Sequence, residues 1–110
     1  MTDQHDPHKA VDFILSNASK FAQAKANRVY IEGFLKSKKA LLMNSCDEKS
    51  AVAREQFAYS HPEYIELLTG LKASIEVEET LKWQITAAQA RVEIWKTECY
   101  LNGRLEKSVR

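Results

Sequence analysis

From Ser60 onward the sequence SHPEYIELLTGLKASIEVEETLKWQITAAQARVEIWKTECYLNGRLEKSVR keeps one helical rhythm for far longer than an ordinary globular helix does. No other stretch restricts the possible folds as much. Tyr64, Leu67/Leu68, Leu71, Ile75, Leu81, Ile85, Ala88, Val92 and Trp95 recur in steps of three and four, which puts them on one stripe. The start signal is complete: Ser60 can cap, Pro62 falls in the first turn, and Glu63 stands three residues after Ser60 as in a capping box. Asn102-Gly103 supplies a stop. The spacing therefore predicts a long helix over 61–103, followed by a basic tail, 104–110.

The preceding residues obey the same period. Asp6-Pro7 reads as a cap followed by the first helical residue. Val11, Ile14/Leu15, Ala18, Phe21/Ala22, Ala26, Tyr30, Phe34 and Leu41 then lie on a common stripe, with Lys20, Gln23, Asn27 and Lys38 off it. This predicts a helix over 7–44 after a flexible segment, 1–6. Gly33 inside it reads as a close approach of another helix rather than as a merely tolerated glycine. NSCDEK is a polar break, and a short helix over 50–59 follows. His61 precedes a proline and is pushed out of the helical region, so the chain bends at SHPEY.

Two long helices joined through a short one give an all-α fold: a long antiparallel helical hairpin, coiled-coil-like, in one domain of 110 residues. With only three glycines and two prolines there is too little punctuation for a many-stranded β fold. A lone hairpin leaves half of each helix in water. Trp83 lies off the stripe, and Glu78 falls where the repeat from Leu71 to Ile85 asks for an apolar residue. Both features predict a homodimer, with Glu78 fixing register and oligomeric state and Trp83 covered by the partner. Trp95, at the far end of the stripe, joins that expected interface.

The chemistry is sparse. His5 and His8 flank Asp6 with no further ligands at a recognised metal spacing, and His61 reads as a turn residue. Glu76, Glu78 and Glu79 resemble a solvated face more than an acid/base pair. No nucleophile-base order and no phosphate cradle is present. The expectation is a non-enzyme without cofactor, metal or small-molecule substrate. Cys46 and Cys99 read as reduced thiols. The polar N-terminus MTDQHDPHK does not suit a secretory signal, and no apolar run approaches a membrane span. A cytoplasmic protein is expected. Its net charge of +1 gives no global pull toward nucleic acid. Locally, Lys36, Lys38 and Lys39, extended by Lys49, form a candidate phosphate-contacting patch, whose plain alternative is a solubilising helix face. Phe57, Tyr59 and Tyr64 at the bend could stack on bases or pack the end of the hairpin, and Tyr59 and Tyr64 are also candidate interface residues.

Three segments carry a resemblance. They are KSKKALLM with Lys36, Lys39, Ala40, Leu42 and Met43, AREQFAYSHPEY with Ala53, Glu55, Ala58, Tyr59, Pro62, Glu63 and Tyr64, and the helix with Glu79, Trp83, Ala88, Glu93 and Trp95. Together, over about residues 25 to 100, the chain resembles a group of small phage and prophage helical proteins. The resemblance implies a non-enzymatic accessory protein of a DNA recombination or replication cluster in a bacterial host cell. It would bind a recombination or replication protein or single-stranded DNA, and no catalytic residue is carried over. A module that inhibits or redirects a host enzyme, and a structural coiled-coil spacer, are the alternatives.

Overall fold

The structure, a computed structural model, describes residues 6–109. It is all-α, a helical hairpin in which α1 (Pro7–Ser45) packs against α3 (Pro62–Val109) and the short α2 (Ala51–Ser60) lies between them in sequence. Residues 22–79 make one compact unit; residues up to Phe21, with Thr80 onward, make a second.

The helix starts follow from local hydrogen bonding. Asp6 Oδ1 accepts the N–H groups of His8 at 2.9 Å and Lys9 at 3.4 Å, so it caps α1 with Pro7 as first helical residue. Ser50 caps α2, its Oγ accepting Ala53 N–H at 3.1 Å. The connection between α1 and α2 is tied by Arg54, whose Nε donates to the Glu48 carbonyl at 2.8 Å.

The capping of α3 differs from the expectation. Ser60 is the last residue of α2, and its hydroxyl donates back to the carbonyls of Gln56 and Phe57. The cap is His61. Its backbone is extended, and its Nδ1 accepts Glu63 N–H at 3.1 Å. An imidazole nitrogen reaches the second amide of the new helix once the chain has bent ahead of Pro62.

The far end of α3 also differs. The helix runs through Asn102 and Gly103 to Val109, so residues 104–109 are helical rather than a frayed tail; Arg110 lies outside the described residues, as do Met1–His5. Gly103 has no positive φ, so the left-handed turn that would stop the helix does not form. Gly33 is corrected as well. A Cβ placed there would meet nothing within 4 Å, so no neighbouring helix approaches it.

The inward stripe of α1 is not the expected one. Buried and half-buried positions run Ala24, Arg28, Ile31, Leu35, Lys38 and Leu42 in one unit, and Ala10, Ile14, Asn17 and Phe21 in the other. Both sets alternate in steps of four and three, as a coiled-coil seam does. Tyr30 and Leu41, expected inside, are 71% and 60% exposed. On α3 the seam keeps Leu67, Leu71, Ser74 and Glu78 in the first unit, and Leu81, Ile85, Ala88 and Val92 in the second. Ile75 and Trp95 leave it. Among the described residues the buried apolar ones are Ala10, Ala24, Leu35, Leu42, Ala58 and Ala88, four of them alanines. Burying so little apolar surface contributes little driving force.

Candidate functional site

The polar seam residues and the bend of α2 into α3 hold the specific chemistry, all within residues 22–79. Glu78 is turned inward with its side chain 10% exposed. Arg28 on α1 grips it with two prongs: Nε donates to Oε2, and the terminal nitrogen donates to Oε1 at 3.1 Å. The other terminal nitrogen donates to Glu32 Oε1 at 3.0 Å, one helical turn along α1. The hydrogen bonds Arg28 donates to Glu78, and then to Glu32, push its pKa up. Two-pronged pairing satisfies the fork geometry of arginine and fixes the register of α1 against α3. Glu78 thus makes its register contact inside the hairpin. Apolar periodicity alone does not mark Arg28. Its signal was its place in the four-three pattern, a positive interruption to match the negative one at Glu78.

The lysines of KSKK do not share a face. Lys36 and Lys38 are two residues apart, about 200° round the helix. Lys36 is exposed, while Lys38 points inward and its Nζ lies 2.9 Å from Glu63 Oε2. That contact, mainly its hydrogen bond, holds the Glu63 carboxyl below the ordinary carboxylate range. Lys39 Nζ is 3.5 Å from Glu55 Oε1 and lies over the Tyr59 ring, 4.7 Å from its centre. The hydrogen bond to Tyr59, more than Glu55, pushes its pKa up. Lys49 is exposed in the connection before α2. Of the four lysines proposed for phosphate, the two central ones are therefore engaged within the chain.

The bend aromatics are likewise engaged with each other. Tyr59 and Tyr64 meet edge to face at 5.3 Å, and Phe57 meets His61 in the same way at 5.6 Å. Beside them an open groove of about 380 Å³ runs between α1 and α3. Ile31, Phe34, Leu67 and Gly70 line its apolar part, and the Lys38–Glu63 pair stands at its edge. Such a groove, with Glu66 also on its wall, can hold an apolar side chain beside charged groups.

In the other unit Trp83 is 63% exposed, with Lys82 Nζ 5.7 Å from its ring centre, and Trp95 is 40% exposed. Among the described residues no group of three or more His, Cys, Asp or Glu could hold a metal ion. His5 lies outside the described residues, and His8 is exposed. Cys46 and Cys99 are free thiols. Among the described residues no helix is long and apolar enough to cross a membrane. No family model matches the chain, and no curated protein or solved structure matches it.

Proposed function

We propose that this chain is a non-enzymatic helical interaction module that works by contact with protein. Its resemblance to small phage and prophage proteins suggests the setting: the bacterial cytoplasm, with a recombination or replication protein as the partner. The observation that carries the reading is the fate of the basic patch. Lys38 and Lys39 are spent on Glu63, Glu55 and Tyr59, and Tyr59 and Tyr64 on each other. Large apolar side chains also face solvent, among them Leu15, Tyr30, Val52 and Trp83, each more than 60% exposed. Exposed apolar side chains support a reading of contact with protein where they lie together on one face. Phosphate contact needs free cations held on one face.

A labelled single-stranded oligonucleotide, followed by fluorescence anisotropy through a salt series, tests this. The reading expects no binding even at ~20 mM salt, where phosphate-driven affinity is greatest. Binding that weakens with salt, and weakens further when Lys36, Lys38 and Lys39 become alanine, would replace this reading with the nucleic-acid one.

A further inference from the structure

Beyond Thr80, α3 carries a second stripe that the hairpin does not use. The inward residues are Leu81, Ile85, Ala88 and Val92. Two positions on, about 200° round the helix, Trp83, Ala87, Ala90, Ile94, Thr97 and Leu101 recur at the same alternating spacing of four and three. All six are exposed, Trp83 by 63%, Ile94 by 54% and Leu101 by 50%. A helix packed on one side ordinarily turns a polar face outward. Here the outward face is a heptad seam about three repeats long, with Thr97 as its one polar member in that span.

We propose that this face is the seam of an antiparallel homodimer, formed with the same stripe of a second copy about a two-fold axis near Trp95 and Lys96. Charge selects the occupant and its direction. With Ala87, Ile94 and Leu101 at the a positions and Trp83, Ala90 and Thr97 at the d positions, Arg91 and Glu98 flank the seam on one edge and Glu93 flanks it on the other. Antiparallel helices bring like edges together. Arg91 of one copy then faces Glu98 of the second, and the two-fold axis makes the contact twice. Parallel helices bring opposite edges together and set Glu93 against Glu98, twice, at a cost. Among the described residues neither Arg91 nor Glu98 has an ion-pair partner in its own chain, and the residues three and four positions from each are uncharged. Size agrees with charge. The antiparallel pairing puts Ala90 opposite Leu101, Ile94 opposite Thr97 and Ala87 opposite the stem of Arg104, with Trp83 one step beyond that last pair. The parallel pairing stacks Ala87 and Ala90 on themselves and leaves the middle of the seam thin.

Sedimentation equilibrium on the full chain tests the seam. Wild type is expected at twice the 12.6 kDa chain mass at tens of micromolar. R91E and E98R each turn two attractions into two repulsions and should weaken association about tenfold or more, while R91E/E98R restores it. Both positions are exposed, and circular dichroism verifies that each variant keeps its helix. Independently, in a Trp95→Phe chain the Trp83 emission should shift to the blue as concentration rises. A wild-type monomer at about 100 µM, a double variant no better than the singles, or an E98R chain that associates more tightly, as parallel pairing requires, overturns the proposal; so does Trp83 emission that ignores concentration. The seam does not depend on the partner proposed above: a monomer that binds no oligonucleotide removes only the seam, and a dimer that binds one removes only the partner reading.

Discussion

Arg28 and Glu78 occupy seam positions that a plain heptad fills with apolar residues. Truncating one of them leaves the other half-desolvated and unpaired, which is the costly case; replacing both with apolar residues removes the cost together with the pair. Glu78→Ala and Arg28→Ala should each lower the thermal midpoint, by circular dichroism, more than Arg28→Met with Glu78→Leu does. A double variant less stable than either single would contradict this. Glu63 gives a pH prediction. Its carboxyl sits below its ordinary value of 4.5 because Lys38 hydrogen-bonds it and carries opposite charge. The folded chain binds that proton more weakly than the unfolded one, so the contribution is complete above 4.5 and is lost as pH falls through the lower folded value. Lys38→Met should return the Glu63 titration, followed by carboxyl NMR, toward its ordinary value and remove this part of the acid sensitivity. Glu78 was visible in the sequence as an interruption. Its partner was not, because a stripe drawn through apolar residues alone passes over Arg28.

Among the elements, both long helices and the short one were legible from period and caps, since Asp6-Pro7 and the bend before Pro62 act locally. What failed to show is where tertiary placement or competing local bonds decide. Ser60 satisfies α2 instead of capping α3, which leaves that task to His61. His61→Leu should cost about 1 kcal/mol in urea unfolding, as the loss of a cap does, and His61→Asn should recover much of it. The stripe of α1 drifted because Asn17, Arg28 and Lys38 sit on the true seam, so counting apolar residues led onto the flank through Tyr30 and Leu41. Gly33 has open space above it and a helical backbone. Gly33→Ala should therefore stabilise the chain by about 1 kcal/mol. A loss of stability there would mean that something does approach α1 at Gly33.

At the scale of the whole molecule, the hairpin was readable because two long periodic stretches joined by a short connection have few other ways to cover an apolar side. The use of the lysines was not readable: Lys36, Lys38 and Lys39 are close in sequence, and only the packing of α2 and α3 decides which of them meet Glu55 and Glu63. Trp83 stood out early as a residue off the stripe. The structure adds its company, the outward repeat from Trp83 to Leu101 flanked by Arg91 and Glu98. Under the proposed pairing, that repeat gives α3 two seams, one for its own chain and one for a copy. The distance between two identical spin labels tests this most directly, with Lys82→Cys labelled in a chain whose Cys46 and Cys99 are serine. An antiparallel pair centred near Trp95 separates the labels by about 40 Å, from a rise of 1.5 Å per residue along the shared axis. A single population near that distance is the predicted result; labels at about 20 Å, side by side as in a parallel pair, or no dipolar coupling at all, would contradict the account.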